Sequence, residues 1–408
     1  MMVSASERPA DRLRIMQASQ RSQVPGFEVM SILARIAELR AAGENIISLT
    51  AGEPGSGAPP AVNAAAARLH AENTVLNYSP ALGIMALREA IADHYRRWYG
   101  VGVPVERIAV TTGSSGAFVL NFLAAFDPGD RVALARPGYP AYRNILASLG
   151  IEVVDLDCGP EVRFQPTPEQ LDAEVAANGP IKGLMLASPA NPTGTMVSRE
   201  QLAALADWCD GNSVQLISDE IYHGITFETP GVSALEFSDE AAVVSSFSKY
   251  WGMPGWRLGW AVLPQYLVDP VSRLAGNVAL CPPHGSQLAA VEAFSAESME
   301  FAQAQLPDYA AARKLVLDAL DKIGWDQAAP ADGAFYVYAR IGKHLEVYDD
   351  AAAYCTALLE QAGVAVVPGT DFDPVNGQEW VRLSLAPGSA AVAEGLDRIR
   401  RFHGQQRR

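Results

Sequence analysis

The sequence predicts an α/β protein in which a large domain, built on a mostly parallel sheet with helices on both faces, is joined to a smaller α+β domain. The chain has 408 residues and is 49% hydrophobic, which is more than one hydrophobic core usually serves, so two domains are expected. After residue 51, short apolar runs alternate with helical stretches, which is typical of a parallel sheet. Past about residue 290 the alternation stops, which indicates the second domain.

The strand-like runs of the first part are short and apolar. Seven runs are expected to form strands: residues 107–112, 131–135, 152–156, 183–187, 214–218, 242–246 and 258–262. Helical spacing of apolar residues lies between several of them, at residues 116–126, 141–149 and 200–208. This order of elements predicts a three-layer α/β/α arrangement.

The domain boundaries follow from the change of pattern along the chain. Residues 1–50 are expected to form an N-terminal arm and a helix at residues 27–42 that belong to the small domain, with the first two dozen residues partly disordered or packed as an arm. Residues 51–295 form the predicted large domain and residues 296–408 the small one. A long helix over residues 286–323, strands at 333–339 and 380–385, and helices at 350–362 and 389–403 are expected there.

Charge and composition exclude several classes of partner. The formal net charge is -15, so the chain repels nucleic acid and anionic membranes and is expected to bind neither. Four scattered cysteines, without metal-ligand spacing, are typical of a reducing compartment, and no metal site is predicted. No apolar signal segment or run long enough to span a bilayer occurs, so the cytoplasm is the expected location.

Lys249 has the most distinctive setting among the five lysines of the chain. It follows a strand-like run, has aromatic neighbours, and lies near the hydroxyls of Ser246 and Ser248, with Arg257 eight residues further on. An ordinary lysine is a solvated surface group. A lysine beside cations or apolar walls instead has a lowered pKa, which Schiff-base chemistry requires.

Four further features are ambiguous when taken singly. The Gly/Ser-rich turn at residues 111–117 lies where a strand passes into a helix, a place that binds phosphate but that is often small for steric reasons alone. Asp219 ends an apolar strand, where it either points into a ligand crevice or is an ordinary loop carboxylate. The turn at residues 188–194 needs no function. Arg382 lies within a strand, where an arginine pairs, snorkels or awaits a carboxylate ligand.

Taken together and in this order, these segments resemble the class I/II aminotransferases, which are fold type I enzymes dependent on pyridoxal 5'-phosphate. The resemblance runs from about Ala51 to the C-terminus, and its most specific parts are SPANPTG (188–194), SDEIYHG (218–224) and SFSKYWGMPGWRLGW (246–260). It implies a seven-stranded sheet in the large domain. It also implies an enzyme that moves an amino group between an L-amino acid and a 2-oxo acid by a ping-pong mechanism, with pyridoxal phosphate as cofactor.

The resemblance implies a role for each residue that matches the motifs. Lys249 would hold the cofactor as a Schiff base and carry the proton in catalysis, with Asp219 on the pyridinium nitrogen. Asn191 and Tyr222 would bind the phenolic oxygen of the cofactor, and Tyr139 would stack on its ring. The implied phosphate ligands are Gly113, Ser114, Ser115, Ser246, Ser248 and Arg257.

The implied substrate site has a second set of residues. Arg382 would clamp the α-carboxylate, with the backbone of Gly52 and the side chain of Asn191 close to it. Tyr78 resembles the tyrosine that reaches the phosphate from the neighbouring subunit, which implies a homodimer with shared active sites. The catalytic residues are therefore expected to be Lys249, Asp219 and Tyr222.

Two departures from the family pattern are local. Pro330 stands one place early before Phe335 and Tyr336, which predicts only a changed turn. The rings of Phe27, Phe335 and Tyr336 either line the pocket or pack in the core. Pro254 stands where many members have threonine, so one supporting hydroxyl is missing.

Reaction and substrate remain open at this level. A lyase that cleaves a C–S bond would keep the same motifs, and the effector domain of a transcription regulator is disfavoured because only about 50 residues precede Gly52. Ser115 occupies the position where some aspartate-using relatives have a lysine that reads the distal carboxylate. The expected donor is therefore small or apolar, of the alanine or valine class, with pyruvate or 2-oxoglutarate as acceptor. Aspartate stays an alternative, with Arg143 and Arg273 as candidate distal cations.

Overall fold

A computed structural model describes residues 17–406 of the chain. The strands in this part are β1 (Ile47–Ser48), β2 (Ile108–Thr111), β3 (Arg131–Arg136), β4 (Glu152–Asp157), β5 (Gly183–Ala187), β6 (Gln215–Asp219), β7 (Ala242–Ser246), β8 (Gly259–Val262), β9 (Gln327–Ala328), β10 (Tyr336–Arg340), β11 (Val364–Ala365), β12 (Val367–Pro368) and β13 (Trp380–Ser384). Each of the seven runs predicted for the large sheet overlaps one of the strands β2 to β8, which confirms those predictions.

Thirteen α-helices lie in the described part of the chain. They are α1 (Glu28–Ala41), α2 (Pro60–Ala71), α3 (Met85–Tyr99), α4 (Gly113–Ala125), α5 (Pro140–Leu149), α6 (Pro168–Asn178), α7 (Arg199–Asn212), α8 (Gln265–Val278), α9 (His284–Ala290), α10 (Ala296–Gln303), α11 (Leu306–Ala319), α12 (Ala351–Ala357) and α13 (Ser389–Gln406). Thr167 and Ser198 start α6 and α7 with capping boxes. None of the described helices combines the length and the low polarity needed to cross a bilayer.

Strands β2 to β8 form one sheet in the order β2-β8-β7-β6-β5-β3-β4. The pairs from β4 to β7 are parallel, and β8 is antiparallel to both β7 and β2. The sheet is thus mostly parallel and seven-stranded, as predicted. Because β2 and β7 run in the same direction as β3, β5 and β6, the carboxyl ends of all five strands meet at one edge.

Both faces of this sheet are covered by helices, because successive side chains of a strand point to opposite sides. On β5, Met185 joins an apolar cluster with residues of α4, α5 and α8. Its neighbours Leu184 and Leu186 belong to the cluster that includes α6 and α7. Strand residues buried on both faces explain the uninterrupted apolar runs in the sequence.

The long helix predicted over residues 286–323 is wrong. The chain forms α9, α10 and α11 instead, with a 3₁₀ segment Val291–Phe294 between α9 and α10. The Ser295 hydroxyl accepts a hydrogen bond from the Ser298 N–H at 3.3 Å and starts α10. Pro307 lies in the first turn of α11, where its missing N–H costs nothing.

The C-terminal part has two small sheets. Strands β12, β13, β10 and β9 pair in that order, and β1 pairs in parallel with β11. Residues 47 and 48 thus join residues 364 and 365, the contact expected if the N-terminal segment belongs with the C-terminal part. The boundaries at residues 50 and 295 stay a prediction.

The N-terminal arm is described from residue 17 onward, and residues 1–16 lie outside the described part. A 3₁₀ turn, Gln20–Ser22, precedes α1. The Asn144 side chain of α5 donates a hydrogen bond to the Pro25 carbonyl at 3.3 Å. The arm therefore packs across the helix that begins beside Tyr139.

Candidate active site

A cavity of about 590 Å³ lies at the carboxyl edge of the large sheet, next to β10 and β13. Strand ends position most of its lining, as is usual for ligand crevices of parallel sheets. It brings together most of the side chains that the sequence singled out: Gly52, Ser114, Ser115, Tyr139, Asn191, Asp219, Tyr222, Ser248, Lys249, Arg257 and Arg382. Gly113, Ser246 and Tyr78 do not line it.

Lys249 follows β7 and reaches the centre of this cavity. Its Nζ donates a hydrogen bond to the Gly52 carbonyl at 2.6 Å and lies 5.8 Å from the centroid of the Tyr222 ring. Burial lowers the pKa of Lys249 to about 8, and the nearby Arg382 charge acts in the same direction. A larger fraction of this amine is therefore neutral, and so nucleophilic and basic, than for a solvated lysine.

Asp219 ends β6 and is 3% exposed. Its Oδ1 accepts a hydrogen bond from the Ile221 N–H at 3.0 Å, and its Oδ2 accepts one from the Tyr142 hydroxyl. Burial raises the pKa of Asp219 to about 6, although both hydrogen bonds and Lys249 oppose that rise. The carboxylate thus stays available to a cationic group of a ligand.

Tyr142 is a site residue that the sequence did not reveal. It lies in the first turn of α5, is buried, and packs edge-on against Phe118 and Tyr139. The predicted helix at residues 141–149 includes it, but no local pattern connects it with Asp219, which comes 77 residues later. Its role in the site depends on a contact between distant segments.

The turn before α4 is shaped for close approach by Arg257. Gly113 has φ +68°, and a Cβ built on it would lie 2.6 Å from Nη2 of Arg257. A side chain at this position would fill the space that the guanidinium uses. Gly113 therefore lies behind Arg257 and does not line the cavity itself. The turn at Gly113, the N–H groups at the start of α4 and the Arg257 guanidinium are called the cradle below.

Ser246 supports the adjacent loop in a similar way. It is fully buried, and its Oγ accepts a hydrogen bond from the Ser248 N–H at 3.0 Å. The loop conformation presents Ser248 to the cavity beside Ser114 and Ser115. Hydroxyls, helix N–H groups and a guanidinium thus converge at one end of the cavity.

Arg382 lies at another part of the cavity and is 5% exposed. Its Nη1 donates to Asn191 Oδ1 and its Nη2 to the Thr50 carbonyl, both at 3.0 Å. Its guanidinium packs between the rings of Tyr336 and Phe372, at 4.5 and 4.7 Å from their centroids. No described acidic side chain forms an ion pair with it, so the buried cation is suited to a ligand carboxylate.

Tyr336 connects two parts of the site that the sequence left separate. Its hydroxyl lies 2.9 Å from the Tyr222 hydroxyl, and a Cβ on Gly52 would lie 3.1 Å from it. The sequence allowed either pocket or core packing for Phe335 and Tyr336. Tyr336 lines the cavity, whereas Phe335 is fully buried and contacts Tyr222 and Tyr309 edge-on or tilted.

Tyr78 is far more exposed than the other predicted site residues, at 81%. It does not line the cavity of its own chain, and its service to a neighbouring subunit stays a prediction. The carbonyl of Asn77 lies 2.6 Å from Nδ1 of His284, which holds the segment at the surface.

The residues of the cavity fit pyridoxal phosphate. A lysine with a lowered pKa, a buried carboxylate and an aromatic ring, Tyr139, surround a space that ends in the cradle of α4 and Arg257. Because Gly113 has no Cβ to displace Arg257, the guanidinium stays in the cradle and is available to a ligand there. The phosphate requires hydrogen-bond donors, the pyridinium nitrogen requires a carboxylate, and the aldehyde carbon requires an amine; the cavity contains all three.

Comparison with known proteins shows which family the chain matches. Residues 44–399 match the family "Aminotransferase class I and II". The chain is 50% identical over 382 residues to a valine–pyruvate aminotransferase of Mycobacterium tuberculosis, covering 93% of this chain and 96% of that protein. It is 34% identical over 382 residues to an aspartate/prephenate aminotransferase of Thermus thermophilus, covering 92% and 96%.

A solved structure agrees with the sequence comparison. The crystal structure of an aminotransferase from Mycobacterium tuberculosis, 48% identical, superposes with a TM-score of 0.92 over 96% of this chain and 100% of that one. Fold, cavity chemistry and both comparisons therefore agree, and the chain belongs to the class I and II aminotransferases, enzymes that use pyridoxal 5'-phosphate.

Proposed function

We propose that this aminotransferase takes its amino group from a small or apolar L-amino acid of the alanine or valine class, with pyruvate or 2-oxoglutarate as acceptor. The observation that carries the proposal is the set of cations in the cavity. Among the described lining residues these are Lys249, Arg257 and Arg382, and each matches a role toward the cofactor or the α-carboxylate. These described lining residues leave no further cation for a second carboxylate on the substrate.

The candidate distal cations of the sequence do not fill this gap. Arg143 forms a two-point ion pair with Asp155 and does not line the cavity. Arg273 is exposed on α8. Ser115 does line the cavity but carries no charge.

The part of the cavity lining that α1 and the residue before it supply is apolar. Phe27, Val29, Met30 and Leu33, at and within the start of α1, line it. Apolar side chains favour a branched or short aliphatic substituent and leave a charged one without partners. The valine–pyruvate aminotransferase of Mycobacterium tuberculosis, which is 50% identical, supports the same choice.

We infer the division of roles from where the side chains lie. Arg382 would bind the α-carboxylate, with Asn191 and the Gly52 backbone beside it, while Gly113, Ser114, Ser115, Ser246, Ser248 and Arg257 would hold the phosphate. Asp219 would pair with the ring nitrogen, Tyr139 would stack on the ring, and Asn191 and Tyr222 would bind the phenolic oxygen. When bound, the cofactor supplies an aldehyde and an electron sink for charge on the substrate Cα.

Lys249 is the residue placed to move the proton. With a pKa of about 8, about one-tenth of its amine is neutral at pH 7, compared with less than about one-thousandth for a solvated lysine. Its distance of 2.6 Å from the Gly52 carbonyl keeps Nζ on the side of the cavity that Arg382 also faces. This arrangement supports catalysis by Lys249, with Asp219 and Tyr222 holding charge and orientation.

A panel of amino acids tests the proposal. Purified holoenzyme is mixed with each amino acid while the cofactor absorbance is followed from the aldehyde to the amine form. Conversion by valine or alanine is expected. Conversion by aspartate or glutamate alone would indicate an aspartate aminotransferase instead, and release of pyruvate and ammonia without the amine form would indicate a C–S lyase.

We also propose a cytoplasmic homodimer in which Tyr78 serves the partner's active site. Exposed large apolar side chains support a covered surface: Val75, Leu76, Val278 and Leu280 are between 45% and 74% exposed in the single chain. All four cysteines are free thiols, in line with a reducing compartment. Sedimentation of the purified protein gives the mass, and a monomer would contradict the shared site.

A further inference from the structure

The segment that follows β12 borders the cavity at the start of α1. Asp371 and Phe372 of this segment both line the cavity. Phe372 packs on the guanidinium of Arg382, and the neighbouring Asp373 forms a buried ion pair with Arg136 at 3.0 Å. Asp371 therefore directly precedes two residues that contacts with other elements hold in place.

Helix α1 has no cap of its own. Its N-cap residue is Phe27, whose side chain makes no capping hydrogen bond. The Glu28 N–H instead donates to Oδ1 of Asp371 at 3.3 Å, and the Val29 N–H also stabilises this carboxylate. A carboxylate from the far end of the chain thus satisfies N–H groups that the first helical turn leaves free.

A second contact strengthens the same junction. The Thr370 hydroxyl donates to Oε2 of Glu28 at 2.9 Å. Both contacts lie directly before Val29, Met30 and Leu33, the residues of α1 that form the apolar wall of the cavity. The cap thus contributes to the position of that wall, together with the packing of Val29 and Ile32 on an adjacent apolar cluster.

The charge of Asp371 also faces the space where a substrate side chain would extend. In addition to Asp219, the acidic side chains among the described lining residues are Asp371 and Glu53. A second substrate carboxylate near Asp371 would meet a like charge, while Arg382, the cation that acts on Asp371, is already assigned to the α-carboxylate; this opposes its binding.

We propose that Asp371 is a specificity-determining residue, which holds the apolar wall of α1 in place and excludes substrates with a second carboxylate. The proposal rests on the proposed function, because it concerns the same substrate pocket. It assigns one side chain two separable properties, a hydrogen-bond acceptor and a charge. Two substitutions separate them.

Asp371→Asn keeps a capping oxygen and removes the charge, because asparagine caps helices as well as aspartate. Inhibition constants are measured on the holoenzyme with unreactive carboxylates: propionate, isovalerate and succinate. The inhibition constant of succinate is expected to fall about tenfold, whereas that of isovalerate stays within about twofold. An unchanged succinate constant would overturn the exclusion of dicarboxylates.

Asp371→Ala removes the cap as well. Binding of isovalerate is expected to weaken about fivefold, with propionate within about twofold, because the longer side chain reaches the wall. Amide hydrogen exchange over residues 28–34 should accelerate in Asp371→Ala and return to the wild-type rate in Asp371→Asn. Equal exchange rates in all three proteins would overturn the capping role.

Ser198→Ala is the matched control. Ser198 caps α7 by accepting the Gln201 N–H at 3.2 Å and does not line the cavity. It should lose a comparable cap without changing any of the three inhibition constants. The exchange measurement needs no substrate. If wild-type enzyme prefers aspartate to valine, the proposed function fails, while the exchange rates still decide the role of Asp371 in α1.

Discussion

Lys249 differs from the other lysines of the chain in what surrounds its amine. Its neighbours are a backbone carbonyl, an aromatic ring and two cations, and burial is the main cause of its lowered pKa. Lys314, by comparison, is exposed and pairs with Asp318 four residues along its helix. At the residue scale, burial of the amine therefore distinguishes Lys249, through its lowered pKa, from an ordinary lysine.

Lys249→Ala should abolish covalent attachment of the cofactor. Reduction with borohydride followed by mass spectrometry of tryptic peptides is expected to find the cofactor on the peptide containing Lys249 in the wild type and on no peptide in the variant. Lys314→Ala serves as the control and should label like the wild type. Persistent labelling of the Lys249→Ala protein would contradict the assignment.

Tyr142→Phe tests whether the hydroxyl keeps Asp219 ionised. A hydrogen bond to the charged form lowers the pKa of a carboxyl group, so its loss should raise the pKa of Asp219 further above about 6. The pH below which kcat/KM falls should then move up by about one unit. A pH profile of the variant measures this shift.

Tyr309→Phe, which removes a largely buried hydroxyl from α11, is the comparison for that profile. Its acidic limb should coincide with that of the wild type. An unchanged limb in Tyr142→Phe would mean that Asp219 does not depend on this hydroxyl.

At the scale of elements, strand ends and helix starts converge on the cavity. The turn between β2 and α4 is the sharpest example, since its first helical residue, Gly113, needs a positive φ and lies under Arg257. The sequence located this junction of strand and helix, although α4 begins at Gly113 rather than at the predicted residue 116. The close approach of Arg257 arises from the antiparallel pairing of β2 and β8.

Gly113→Ala should damage the cradle. The left-handed conformation costs a residue with a Cβ about 1–2 kcal/mol, and the new methyl group would displace Arg257. We expect a lower free energy of unfolding by that amount and an about tenfold larger dissociation constant for pyridoxal phosphate, measured by fluorescence titration of the apoenzyme.

Gly211→Ala provides the opposite case. Gly211 lies in α7, no atom lies within 4 Å of the point that an added Cβ would occupy, and its φ is not positive. This substitution should stabilise the protein by about 0.5–1 kcal/mol and leave cofactor binding unchanged. Equal losses of cofactor affinity in both variants would contradict the role of the cradle.

At the scale of the whole molecule, the large sheet and the C-terminal sheets are joined next to the cavity. Arg136 at the end of β3 pairs with Asp373, whose side chain is 5% exposed, and also with Asp157, whose side chain is 66% exposed. The two pairs share one guanidinium and differ mainly in burial. They therefore compare a buried and an exposed ion pair in one protein.

Asp373→Ala should lower the free energy of unfolding by about 3 kcal/mol, because it removes a buried partner of Arg136 and the acceptor of the Val375 and Asn376 N–H groups. Asp157→Ala should cost less than about 1 kcal/mol, because solvent screens that pair. Urea denaturation of both variants measures the difference. Similar losses would show that burial does not distinguish the two pairs.

The sequence by itself determined the sheet and the chemistry available at its edge. Strands buried on both faces must be continuously apolar, so β2 to β8 were readable within one or two residues of their ends. Lys249 stood out by its setting, whereas Asp219, Asn191 and Arg382 acquired their roles through the resemblance of their segments to the aminotransferase family.

Only the tertiary structure decided which distant residues support these groups. Tyr142 reaches Asp219 across 77 positions, and Asp371 caps a helix that begins 343 positions earlier. Local periodicity carries no information about such contacts, because they depend on how strands and loops pack in space. The ion pair between Arg143 and Asp155 is likewise visible only in the fold. The break of the predicted helix at residues 286–323, in contrast, follows local signals that the sequence contains, the Ser295 cap and Pro307.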